Sequence, residues 1–408
     1  MPKRGRARRR LVACALVVGW AATACWGQVG GNAANQYAST DETRITPATV
    51  ASLASVWSVP GVADIVWGNQ VIGIDGGQIR SIAASSGAFQ WAHTTSGGPF
   101  PNLTTVAGVA GPTVVGDEVW AAMRLQVFTA HGGACGGANV RVDLATGAEL
   151  TPVVPATSGA IVPFGDAVAA YAQSFQFSPT SGCTSTAGPL TVHDPTTGAA
   201  RWTGQVGGRP VVIGDQLLSA SGPTVRAYTA AGCGAPTCEP VWTATLPGSA
   251  SQLSAAGAYA YALVPSSTPA TLVALDRATG AVAWTATLPD MWPSMTLAGG
   301  RVHVVSDGTL STFDAAGCGA PTCAPAWTAN LGGPTEGPAI SGGGVVYQGM
   351  TDGRVLAFAA GGCGATTCTP LATLTVTGSP SRLVVDGGRL FVTSTANGVK
   401  TVTAYAPA

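Results

Sequence analysis

The stretch TLVALDRATGAVAWTATLP, residues 271–289, decides the fold. Apolar residues alternate through Leu272 and Ala274 to Asp276, the turn Ala278-Thr279-Gly280 interrupts, and alternation resumes through Val282, Trp284 and Ala286. A period of two sends successive side chains to opposite faces, so the stretch reads as two antiparallel strands joined by a tight turn and carrying a buried tryptophan. One hairpin is only marginally stable in water. It has to be packed on others of its kind.

The chain supplies them. The same pattern recurs at residues 79–95, 139–153, 190–206, 224–246, 310–331 and 354–376, and a last copy at 399–408 stops before its tryptophan strand. A second set of turns separates the hairpins: Gly68-Asn69, Gly116-Asp117, Gly165-Asp166, Gly214-Asp215, Ala256-Gly257, Gly299-Gly300, Gly342-Gly343 and Asp386-Gly387. Gly, Asn and Asp tolerate the positive φ that two-residue turns require. Both series give eight units of four strands, which predicts an all-β fold, an eight-bladed β-propeller of four-stranded blades. The eighth unit lacks its outer strand, and a spare strand with Trp57 lies near residues 53–59. That N-terminal strand is expected to complete the last blade and close the ring, removing two sheet edges.

Composition agrees. The chain has 408 residues with 56 Gly, 28 Pro and only 9% charged residues, which leaves little support for long helices. Residues 1–24 read as a signal peptide: six basic residues from Lys3 to Arg10, an apolar core too short to span a bilayer, and the small residues Ala22-Thr23-Ala24. The remainder holds thirteen basic against nineteen acidic residues, the basic ones scattered singly, so nucleic-acid binding is not expected. Residues 25–52 read as a lead-in or tether, and residues 53–408 as the propeller.

Cysteine usage points outside the cytoplasm. Cys25 follows the cleavage signal at once, and ATAC resembles a bacterial lipoprotein box, which implies lipid attachment at Cys25. Cys233 with Cys238, Cys318 with Cys323, and Cys363 with Cys368 form three Cys-x4-Cys turns in separate units, read as local disulfides that pin hairpin tips rather than hold the ring. Cys135 and Cys183 lie in longer insertions of the second and third units, between second and third strands. Neighbouring blades present those loops on one face, so a bridge between them is expected.

The motif of Asp276, Thr279-Gly280 and Trp284 resembles the PQQ-type propeller repeat, and the resemblance covers essentially all of the chain beyond residue 24. It implies that Trp57, Trp91, Trp202, Trp242, Trp284 and Trp327 dock between neighbouring blades. The second unit departs with Leu150 and the seventh with Leu371-Ala372, where weaker blade contacts are expected. In the quinoprotein dehydrogenases of this family a vicinal Cys-Cys disulfide covers the quinone and acidic and amide side chains hold calcium. No adjacent Cys-Cys occurs here, nor a Gly-x-Ser-x-Gly, His-Glu-x-x-His or Walker motif. No catalytic, cofactor or metal residues are assigned.

The resulting expectation is a monomeric, non-enzymatic propeller of the cell envelope that acts as a protein-binding or assembly scaffold without a cofactor. Its alternatives are a PQQ- and calcium-dependent oxidoreductase with an atypical site and a surface carbohydrate or polymer binder. Trp292 lies outside the repeat position and is the candidate partner contact. Mass spectrometry of the mature N-terminus should find Cys25 as the first residue carrying acyl mass; an unmodified Cys25 would remove the anchor.

Overall fold

A computed structural model describes residues 25–75, 77–94, 106–129, 132–153, 160–178, 182–265, 269–289 and 293–408. The strands form eight antiparallel sheets in a ring, a β-propeller, and the only helical element among the described residues is the 3-10 turn Val50–Ser52. Blade 5 shows the unit: Gln252–Ala256, Tyr259–Val264, Ala270–Asp276 and Val282–Leu288, from the axis outward. From inner to outer strand the order within blades 1 to 7 follows the chain, as short turns demand. We call the end of the ring that carries the third-to-fourth-strand turns the lower face, and the opposite end the upper face.

Blade 8 is completed from the far end of the chain. Leu53–Pro60 pairs antiparallel with Val399–Pro407, placing Trp57 opposite Ala404. The seam with blade 1 is then fastened by an Arg382–Asp64 ion pair, by Lys400 Nζ to Asp75 at 2.5 Å, and by the Ala63 N–H donating to Thr393 Oγ1 at 2.9 Å. Asp64 also accepts from the Ile74 N–H, so its buried carboxylate is partnered on both oxygens.

Blades are joined by one repeated contact. The outer-strand tryptophan of a blade lies against the glycine in the third-to-fourth-strand turn of the next: Trp57 on Gly87, Trp91 on Gly147, Trp202 on Gly232, Trp242 on Gly280, Trp284 on Gly317 and Trp327 on Gly362. A Cβ on any of these glycines would fall 2.5–2.8 Å from the indole. In four of the contacts the indole N–H also donates to a carbonyl of that turn, Ala84, Leu144, Ala230 and Arg277 respectively. Thr-Gly in the repeat therefore serves the preceding blade as well as its own turn.

Two units lack this tryptophan, and in blade 2 the Val153 backbone lies where a Cβ on Gly198 of blade 3 would fall. In blade 2, Trp120 from the second strand is buried against Ile161, Val168 and Ala170 of blade 3. Its indole donates to Glu118 at 2.8 Å, Arg141 makes a bidentate pair with Glu118 through Nε at 2.9 Å and Nη2 at 2.8 Å, and the Arg141 guanidinium lies over the Trp120 ring. In blade 7 the outer strand Ala372–Thr375 faces the 3-10 turn Val50–Ser52. Blade 8 has no third-to-fourth-strand turn to receive a tryptophan, because its outer strand is Leu53–Pro60. Donor and acceptor of the contact are missing together.

Gly280 tests the docking rule against backbone strain alone. Gly280 and Gly257 both have positive φ, +75° and +55°, yet only Gly280 has a neighbour within 4 Å of a would-be Cβ. Gly257→Ala should cost about 1 kcal/mol, and Gly280→Ala about 1–3 kcal/mol more from overpacking on Trp242, measured by denaturant unfolding.

Candidate functional site

Inner strands of a propeller leave an unpaired edge facing the axis. Residues 25–45 run around the inside of this ring and bond to seven of the eight blades in order, blade 3 excepted among the described residues. Cys25–Trp26 pairs with Ile65–Trp67 of blade 1, and the Gly27 carbonyl accepts from Val114 N–H of blade 2. The carbonyls of Ala33, Ala34, Gln36 and Tyr37 accept from Val212, Ala255, Leu297 and Ser341 of blades 4, 5, 6 and 7. Ala38–Ser39 then adds a parallel strand to blade 7, Ser39 Oγ donates to Asp386, and Glu42 accepts from the Gly388 N–H of blade 8. The segment expected as a tether is thus an axial belt. Its polar, Gly/Asn-rich sequence supplies main-chain acceptors and amides rather than an apolar face: Asn35 Nδ2 donates to Leu253 O and Gln36 Nε2 to Ala255 O.

The lower face carries the Cys-x4-Cys turns, and the pairs Cys233–Cys238, Cys318–Cys323 and Cys363–Cys368 are disulfide-bonded. Their role differs from the pinning of isolated tips. Each closed loop folds onto the outer strand of the preceding blade and forms a short parallel bridge, Thr203 with Thr237, Thr285 with Thr322 and Thr328 with Thr367. In each, a cysteine N–H donates to the threonine carbonyl at 2.8–2.9 Å and the threonine N–H donates back into the loop. The disulfides hold hooks between blades. Sequence spacing could not show this, since the partner strand lies some 35 residues earlier.

The upper face carries two arms. In blade 2, Glu118–Thr129 and Gly132–Asp143 are twelve residues each, as are Ala167–Ser178 and Gly182–His193 in blade 3, whereas most second and third strands elsewhere have six. Six extra residues at about 3.3 Å each carry a hairpin roughly 20 Å past the ring. Gly132–Asp143 packs beside Ala167–Ser178, so the arms stand together. On the blade 3 arm Ser174, Gln176, Thr184 and Thr186 are exposed, a polar face. The backbones of Cys135 and Cys183 lie on the two arms, opposite Gln126 and Phe177; their side chains, and that of Cys25, are outside the described residues. So are Trp292, His131 and residues 1–24 entirely.

Titratable groups are absorbed into structure. Asp143, Asp194 and Asp276 each accept from two turn N–H groups and a threonine hydroxyl. Those bonds hold all three carboxyls below the ordinary range, Asp194 at about 2, chiefly through the Thr197 N–H. His303 is fully buried, bonded through Nδ1 to Thr312 at 2.9 Å and set against Trp327, and burial pushes it down to about 3. His193 bonds Gly198 O, and His93 lies 3.7 Å from Glu149 across a blade junction. Among the described residues no three His, Cys, Asp or Glu side chains converge as a metal site. With no adjacent cysteines in the sequence and no converging acidic cluster among the described residues, those residues do not fit the quinone-and-calcium set that the resemblance implies.

The fold is a β-propeller, and part of the sequence matches a known repeat family. Residues 187–318, blades 3 to 6, match the family described as outer membrane protein assembly factor BamB. Similar solved structures include BamB from Moraxella catarrhalis, at 16% identity and TM-score 0.58, covering 87% of this chain and 98% of that one. A quinohemoprotein alcohol dehydrogenase from Comamonas testosteroni aligns at 14% identity and TM-score 0.62, over 93% and 80% of the two chains. The computationally designed Ika8 aligns at 14% and 0.60, over 88% and 99%. Comparison with curated proteins gives no match. At these identities the likeness is one of fold.

The buried imidazole gives a pH signature. Between pH 6.5 and about 3 the unfolded chain takes up a proton at residue 303 that the folded chain refuses, so stability falls as pH drops through that window. His193, also lowered by burial, adds in the same direction. At pH 5 the His303 contribution is about 2 kcal/mol, and the loss of melting temperature from pH 7 to pH 5 should be smaller in His303→Leu than in the native chain.

Proposed function

We propose that the protein is a non-enzymatic binding scaffold of the cell envelope whose partner-docking surface is the pair of upper-face arms on blades 2 and 3. The arms carry the reading. They are long, adjacent and exceed what the ring needs, while the acids and histidines described above serve turns, seams and core. Two hairpins 20 Å tall expose strand faces on which a protein partner can be bound by side chains and edge backbone together.

Support of a coarser kind comes from elsewhere in the chain. Three disulfides fit an exported protein, and one matched family is named for envelope assembly. Cys25 sits at the lower end of the blade 1 inner strand, paired with Trp67. A lipid there would place the lower face toward the membrane and the arms away from it.

Shortening both arms tests this. Replacing residues 124–137 and 173–187 with two-residue Asn-Gly turns returns both hairpins to the length of their neighbours. The shortened protein should keep its melting temperature within a few degrees and lose partners captured by cross-linking in envelope preparations. Undiminished capture would contradict the assignment.

A further inference from the structure

Polar atoms buried without a partner are uncommon in folded proteins and each calls for an explanation. Here several gather where the belt crosses between blades 2 and 4. Among the described residues Gln28, 4% exposed, has both amide atoms unpaired; Asn35, 4% exposed, has an unpaired Oδ1; Thr113, 2% exposed, has an unpaired hydroxyl; and Arg209 has an unpaired Nε. They surround a single turn. Gln28 bridges to both Gly31 and Thr113, Val29 packs its side chain on Gly111 and gives its carbonyl to Arg209, and Gly30 lies between Asn35 Oδ1 and the Arg209 guanidinium.

Arg209 is the focus of this group. Its one hydrogen bond among the described residues is to the Val29 carbonyl, and no carboxylate lies within ion-pair distance. A buried guanidinium with a neutral acceptor alone is an expensive arrangement, because a charge removed from water is stabilised chiefly by an opposite charge. The cost shows in its acidity, which burial raises relative to an ordinary arginine. The residue as a whole is half-buried, but its Nε and the Gln28, Asn35 and Thr113 atoms named above are closed off from solvent.

We infer that Arg209, with Gln28 and Thr113 on the turn at residues 28–31, forms an axial binding site for a small oxyanion, a carboxylate or a phosphate-type group. The guanidinium supplies charge and an N–H, the Gln28 amide and Thr113 hydroxyl supply neutral donors, and Gln28 Oε1 and Asn35 Oδ1 accept from a hydroxyl or water carried by the ligand. No part of this depends on the arms or on the scaffold reading.

The test is thermal melting and calorimetric titration of the full exported chain at fixed ionic strength, with acetate and citrate in one arm, phosphate and sulfate in a second, and chloride as control. The expected result is a saturable melting-temperature rise of a few degrees with one oxyanion class over chloride, and one site per chain by titration. Arg209→Met should abolish the rise. Gln28→Met, which keeps the arginine, should weaken binding about tenfold for one lost charge-assisted hydrogen bond, and it serves if the arginine variant does not fold. A response equal to chloride in both arms, or a rise unchanged in Arg209→Met, overturns the assignment and leaves ordered water as the partner of these atoms.

Discussion

A ring of four-stranded blades creates eight inner edges whose N–H and C=O groups face the axis, and the structure depends on how those edges are satisfied. Side chains from the blades could do so only piecemeal. Here one continuous segment does it for most of them, giving up carbonyls to Val114, Val212, Ala255, Leu297 and Ser341 in succession. Each such bond contributes about 0.5–1.5 kcal/mol; these five tie blades 2, 4, 5, 6 and 7 to one strand of chain, and the Cys25–Trp26 pairing and Glu42 add blades 1 and 8. The same segment continues into Leu53–Pro60, which closes blade 8. Axial belt and ring closure are therefore one device, and neither can be loosened without the other.

Around the outside a second, periodic device works between neighbours only. Trp on Gly repeats six times, and three blade junctions add a disulfide-closed hook. The junctions that lack the tryptophan keep their packing by other chemistry, an Arg141–Glu118–Trp120 cluster in one case and the N-terminal 3-10 turn in the other. Such substitution is what nearest-neighbour coupling allows: each interface is solved locally, with no demand on the rest.

Much of this was legible in the letters. The period-two alternation and the tryptophan position specify blade number and closure, because both arise from burial on a pleated surface. Leu150 stands out in the letters as a missing aromatic, yet only packing shows that the Val153 backbone takes the place against Gly198 that a tryptophan takes elsewhere. The belt was not legible. Its bonds join residues as far apart as Asn35 and Leu253, and main-chain carbonyls carry no residue-type signal. Arg209 was hidden for the same reason, an isolated arginine whose meaning lies in the turn it meets.

Hydrogen exchange read by mass spectrometry tests the belt most directly. If residues 25–45 hold the inner edges, the amides of Val212, Ala255, Leu297 and Ser341 exchange as slowly as central-strand amides such as Ala262 and Val346. Exchange of those four at the rate of exposed turn amides would show that the segment does not occupy the axis, and the account would fail.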